Sequence, residues 1–279
     1  MGFRARAPHG LAACAAPRRA LRWAIAGAIL SVAVAGCGSD DGTTTSRALD
    51  PKVVKPGTLT VCTSFDFPPF EFRDKGKPVG FDIDLANQVA KELKLKADIV
   101  NADFDKIQSG QLLNDGTCDV AVAGLTINGE RARVLDFSSP YFDAAQTMVV
   151  KKGSGITSLD DLAGQKIGVQ GGTTGELYVT DHAPADAEVV ALTDATDVDT
   201  ALESGDVAAG VYDNTIVGDA IARNPDFEVA EEFDTGEQYG MAVKKNGSVD
   251  LLRFINKVLT ELKSDGGYDD IYAKWFGSS

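Results

Sequence analysis

Two histidines, two tryptophans and four cysteines stand in a chain of 279 residues. So little imidazole removes most of the nucleophilic and metal chemistry open to a protein. His9 lies in the N-terminal leader described below, and His182 sits alone beside Asp181 near an expected helix end. Ser–His–Asp triads, Cys–His pairs and histidine-rich metal sites lack their parts. No Cys-x-x-Cys occurs, and the acidic residues show no metal-loop spacing. No cofactor and no metal are expected. Positive charge is also short: 27 basic residues face 41 acidic ones, a net charge of −14. Such a chain is a poor partner for nucleic acid or an anionic lipid surface. The apolar run over residues 23–35 is too short for a comfortable membrane span.

Residues 1–36 hold five arginines (Arg4, Arg6, Arg18, Arg19, Arg22) and no acid. A basic start, a short apolar middle and a small-residue end make a secretory signal peptide. Its last residues, Val34-Ala35-Gly36, precede Cys37, a sequence that resembles the lipobox of bacterial lipoproteins. That resemblance implies that Cys37 is acylated and becomes the mature N-terminus, with residues 37–55 as a lipid-anchored tether. Arg18-Arg19 leaves twin-arginine export open beside the general route. Losing the five arginines while keeping 41 acids shifts the net charge from −14 to −19. Cys14 departs with the leader and Cys37 takes the lipid, so Cys62 and Cys118 remain as a pair in an oxidising compartment. A disulfide between them would close a loop of about 57 residues, worth roughly 4 kcal/mol in the chain-entropy model. Two buried free thiols are the alternative.

The remaining chain alternates strand and helix signals, so the expected class is α/β. Strands are expected at 59–63, 99–100, 120–124, 166–170, 188–192, 207–212 and 239–244. Helices are expected after Gly80, over 104–114, over 195–204, after Asp213, over 249–262 and over 268–276. Between the first strand and the first helix, Pro68 and Pro69 forbid regular structure while four aromatics crowd together. The phrase helix–Ser-Gly–Asp–apolar strand occurs twice, as SGQLLNDGTCDVAVAG and as ESGDVAAGVYD, a faint internal repeat that predicts two similar lobes. At 120–131 an apolar strand runs into Leu125-Thr126-Ile127, and Asn128 is placed to cap a helix beginning at 129–131. That junction would offer a hydroxyl, free amides and the Arg131 guanidinium at the carboxyl end of a strand. This is where open α/β sheets bind ligands, and its chemistry suits a carboxylate. Alone, Glu130-Arg131 would also fit a solvated first turn.

Six motifs in order move that balance: PPFEF (68–72), GFDIDLA (80–86), AGLTINGER (123–131), DFSSPYF (136–142), IGVQGGTT (167–174) and DGGYDDIYAKWFG (265–277). Together they closely resemble the polar amino-acid solute-binding proteins of ABC importers, family 3, over about residues 56–277. The resemblance implies a periplasmic-binding-protein type II fold, two α/β lobes joined by two crossing hinge strands. Lobe 1 would be 56–142 plus 240–279, and lobe 2 143–239. It implies that Arg131 grips a ligand α-carboxylate beside Thr126, and that Thr174 donates to it from the other lobe. Asp213, helped by the Gly124 carbonyl, would accept from the α-ammonium; as a bare helix N-cap it would do neither. Phe67 would stack on the ligand side chain, with Phe104 a second wall. Ser64, Gln170 and Tyr212 would read that side chain. Phe70, Phe72 and Phe81 are assigned to the core, Asp66 and Glu71 to solvent, and Trp275 and Phe276 to anchoring the last helix. Asn128 stands where threonine is more frequent, and the interval from Phe104 to Gly124 is about two residues longer than in the simplest members.

The implied function is binding of a free amino acid outside the cytoplasm and its delivery to ABC permease transmembrane subunits. The protein would be a monomer that meets the membrane only through its lipid, on the outer face of the cytoplasmic membrane or in the periplasm. Neutral Ser64, Gln170 and Tyr212 favour a neutral polar side chain such as glutamine, then glutamate or aspartate, then the cationic amino acids. A related fold serves periplasmic cyclohexadienyl or arogenate dehydratases, in which Glu71 or Glu176 would have to carry the proton. A ligand-sensing receptor domain is the third alternative.

Overall fold

β1 (Thr58–Thr63) is buried on both faces from Leu59 onward, its two neighbouring strands both running parallel to it, although Thr60 and Thr63 alternate with its apolar residues. A computed structural model describes residues 49–65 and 67–277; the leader, Cys37, the start of the tether and Asp66 lie outside the described residues. These fall within one compact unit, Arg47–Ser279. A small hairpin of β2 (Phe72–Asp74) and β3 (Lys77–Val79) leads to α1 (Phe81–Glu92), which buries Phe81, Leu85 and Val89. β4 (Lys96–Asn101), α2 (Phe104–Gln108), α3 (Gln111–Asn114), β5 (Val120–Ala121) and β6 (Leu135–Phe137) follow. β7 (Phe142–Lys151), β8 (Lys166–Gln170), α4 (Thr174–His182), β9 (Glu188–Leu192), α5 (Ala195–Ser204), β10 (Ala209–Asp213) and α6 (Asn214–Arg223) form the second half. β11 (Phe227–Tyr239), β12 (Ala242–Lys244), α7 (Val249–Asp265) and α8 (Gly267–Phe276) complete the described chain.

Two five-stranded sheets result, in the orders β4-β1-β5-β12-β6 and β11-β7-β10-β8-β9. β5 and β10, the strands of the internal repeat, each take the central place in their sheet. β7 and β11 run antiparallel from Phe227 opposite Lys151 to Tyr239 opposite Phe142. They join the two halves: Ala144 and Tyr239 lie in the core beside the first sheet, while Met148, Val150 and Phe233 lie in that of the second. The first core is aromatic. Phe70 and Phe81 are fully buried, and Phe276 packs on both, with ring centroids 5.3 and 5.4 Å away. Phe72 is only half-buried and meets the Trp275 ring edge-on, while Trp275 Nε1 donates to Asp84 at 2.7 Å. Cys62 and Cys118 are joined by a disulfide, with Cα atoms 5.8 Å apart. Among the described residues no helix is long and apolar enough to cross a membrane.

Four elements differ from expectation, each for a local reason. The helix over 104–114 is two short helices, because Gly110 takes φ 75°, where an added Cβ would press on Leu135 and Val134. The strand at 120–124 stops at Ala121, before Gly124 turns with φ 50°. The helix expected at 129–131 is a single 3₁₀ turn, Arg131–Arg133, although Asn128 Oδ1 does accept from the Arg131 amide at 2.8 Å. The strand at 239–244 is the end of β11 and the separate β12, parted where Gly240 packs against Ile127.

Candidate functional site

The two sheets face each other across a cleft, the usual place for a small ligand between two lobes. Ser64, Phe67, Phe104, Gly124, Thr126 and Arg131 line it from one side, and Gln170, Thr174, Tyr212 and Asp213 from the other. All ten residues singled out in the sequence are thereby brought together.

Arg131 is its electrostatic centre. The residue is only 3% exposed; Nη1 donates to the Thr126 carbonyl at 3.0 Å, and Nη2 crosses the cleft to the Gly172 carbonyl at 2.9 Å. The Phe104 ring lies beside it, 5.4 Å from centroid to Cζ. Burial lowers the guanidinium to about 10, opposed by the carboxylates of Asp213 and Glu237, so it stays charged at neutral pH. Two of its five N–H donors go to those carbonyls, and a forked cation held this way suits a carboxylate. Asp213 opens α6, yet its side chain makes no capping bond. It accepts from Gln146 Nε2 at 2.6 Å and from the Tyr239 hydroxyl. Burial first, and then Glu237, push Asp213 up to about 6. Gly124, with φ 50°, lies under Phe67, whose Cε1 would be 2.7 Å from an added Cβ.

Several side chains stand differently from expectation. Tyr212 presents its ring to the cleft, but its hydroxyl donates to Asp199 at 2.9 Å, and Asp199 pairs with Arg223 at 2.7 Å. That hydroxyl is committed to the α5–α6 side and is not free to read a ligand. Glu71 is not solvated. The turn after Phe67 folds back through paired backbone bonds between Phe67 and Glu71 and turns the carboxyl inward, leaving it 1% exposed. Burial and the neighbouring Asp82 hold its proton well above the usual carboxylate range. Glu176 is occupied at the glycine turn, accepting from the Gly172 amide at 2.7 Å. His182 is exposed on α4, stacked on Tyr178.

Residues missed in the sequence complete the cleft. Gln146 bridges Asp213 and Glu237, at 2.6 and 3.1 Å. A glutamine inside the apolar strand FDAAQTMVVK was a usable signal, because such strands do not bury an amide without a purpose. Phe65, Asp194 and Ile216 also line the cavity. Glu237 gave no signal, since it is one of four glutamates in β11, which is exposed along much of its length.

The family model of the bacterial extracellular solute-binding proteins, family 3, matches residues 59–278. The chain is 39% identical over 204 residues to the ABC transporter glutamine-binding protein GlnH of Bacillus subtilis, covering 72% of this chain and 73% of that one. It is 33% identical over 263 residues to a probable histidine-binding protein of Neisseria gonorrhoeae, covering 91% and 95%. Among solved structures, an ancestral arginine-binding protein bound to glutamine superposes with a TM-score of 0.76 at 46% identity, covering 80% of this chain and all of that one. These neighbours are two-lobed amino-acid-binding proteins, and the sheets and crossing strands above have their architecture. The chain belongs to the bacterial extracellular solute-binding proteins, family 3.

Proposed function

We propose that this chain binds a free L-α-amino acid in the cleft and delivers it to the transmembrane subunits of an ABC importer. The observation that carries the reading is the buried Arg131 guanidinium facing Asp213 across the same cavity. The pair offers one cationic and one anionic partner to the two charges that every α-amino acid shares. Arg131 and Thr126 would take the carboxylate from one lobe, Thr174 from the other, while Asp213 and the Gly124 carbonyl take the ammonium. A ligand bridging both sides binds the closed arrangement better than an open one, which is population shift. Micromolar affinity, about −8 kcal/mol, lies within reach of a few desolvated charge-assisted bonds and aromatic burial. The proposed lobes are 56–142 plus 240–279 and 143–239, a division supported by the membership of the two sheets. Export, the lipid on Cys37 and a monomeric state belong to the same proposal. Cys37→Ala should free the protein from membranes or stop its processing.

Glutamine is the proposed ligand, with Phe67 and the Tyr212 ring as walls and Gln170 and Ser64 as polar partners. Arginine is the second reading, favoured by Asp194 in the lining. Arginine thus moves ahead of glutamate and aspartate, because Arg131 is the sole cation among the described lining residues and an unpaired buried ligand charge costs several kcal/mol. Of the two carboxyls the dehydratase alternative needs, Glu71 lines the cavity beside Asp82, while Glu176 is engaged by the Gly172 amide. A thermal-shift screen of the twenty amino acids, followed by calorimetry, tests the reading. Stabilisation by none of them would refute it.

A further inference from the structure

We propose that Glu237 is an internal competitor for the ligand carboxylate and a latch that holds the two lobes together. It stands on the crossing strand β11, just after Gly236 and a register shift between Phe233 and Glu237. Its Oε2 accepts from the Thr126 hydroxyl at 2.8 Å and from the Thr174 hydroxyl at 2.6 Å. Its Oε1 accepts from Gln146 Nε2 at 3.1 Å and from the Thr235 hydroxyl at 2.9 Å. Four donors fill the acceptor capacity of one carboxylate.

Two of those donors are the hydroxyls assigned above to the ligand, so the inference rests on that reading of the cleft. A threonine hydroxyl has one proton to give. Thr126 and Thr174 can therefore serve Glu237 or a ligand carboxylate, but not both. They also come from opposite sides, Thr126 following β5 and Thr174 opening α4. A carboxylate between them draws the sides together whether it belongs to the ligand or to the protein. Binding is then an exchange in which the amino acid takes over both hydroxyls. Glu237, still held by Gln146 and Thr235, withdraws toward Asp213, which shares the same Gln146 amide. Affinity is lowered by what Glu237 gives up, and closure comes partly before the ligand.

The test is calorimetry of the mature chain with L-glutamine and L-arginine, beside small-angle scattering without added amino acid. In Glu237→Gln a neutral acceptor releases the hydroxyls more readily. The better-binding amino acid should bind roughly fivefold tighter or more, the usual difference between a charged and a neutral acceptor. The scattering curve should move toward a more open form. Glu237→Asp keeps the charge but is one methylene too short to reach both hydroxyls, and should shift both readouts the same way. Thermal melting checks that each variant is folded. An unchanged or weaker affinity, or a curve superimposing on wild type, would overturn the latch. Arg131→Ala separates this from failure of the cleft reading: if Arg131→Ala binds like wild type, the cleft assignment fails. Should neither amino acid bind the wild type, scattering alone decides the latch.

Discussion

Arg131 and Gly172 are hydrogen-bonded across the cleft, guanidinium to carbonyl at 2.9 Å, although 41 positions separate them in the chain. The contact places the glycine turn of the second half directly against the buried guanidinium of the first. It also fixes where the remaining N–H groups of that cation can point.

Arg131→Ala should abolish binding of every α-amino acid alike, because in the proposed reading the guanidinium takes the shared carboxylate and not the side chain. Charge-assisted bonds of this kind contribute about 1.5–3 kcal/mol each, so a loss of roughly a hundredfold or more is expected by calorimetry. A variant that loses one amino acid while keeping another would show that Arg131 reads a side chain instead.

Affinity should fall as the solution is acidified below about 6, the value to which burial and Glu237 push Asp213. In the proposed reading the ionised carboxylate would accept from the ligand ammonium, and the protonated one would not. Each pH unit below that value should therefore weaken binding by up to about tenfold, with proton release on binding in that window. The carboxylate of Glu237, the Gln146 amide, the Tyr239 hydroxyl and Arg131 all face this group, so Asp213→Asn is the control. It should bind weakly with no inflection near 6. In folding the sign is the same as for any acid raised by burial: stability from this group is greatest at low pH and is lost as pH rises from about 4 through 6.

Removing the Cys62–Cys118 bond should destabilise the fold by about 2–4 kcal/mol. Denaturant unfolding of a Cys62→Ser, Cys118→Ser double variant measures it. Denatured, unreduced mature protein should yield no titratable thiol from these two positions.

Gly124→Ala should cost about 1–2 kcal/mol for the left-handed backbone alone, and more where the methyl meets Phe67. Because Phe67 walls the cleft, ligand affinity should fall together with the melting temperature. A stable variant with wild-type affinity would mean that the ring moves aside freely.

What lay open in the sequence was whatever short spacings control. The four-residue periodicity of α1 and the Asn128 cap at Arg131 act within a few residues of where they are read. The two strands of the internal repeat were legible for the same reason, whereas their shared central place in the two sheets was not. Gly110 was a weaker signal, because a glycine inside an otherwise helical pattern breaks it only if the surroundings demand a left-handed turn.

Spacing and motif order alone pointed to an α/β chain with two similar halves, a candidate leader, a candidate cysteine pair and a candidate carboxylate-binding junction at Thr126 and Arg131. The tertiary structure alone decided which way each polar side chain faces. Glu71 turned inward to Asp82 because the chain after Phe67 doubles back, and the Tyr212 hydroxyl turned away because Asp199 and Arg223 wait behind the strand. Glu237 reached Thr126 from 111 positions away and Thr174 from 63. No local pattern encodes such a meeting, because it exists only once both crossing strands are laid against each other and the two sheets are brought face to face.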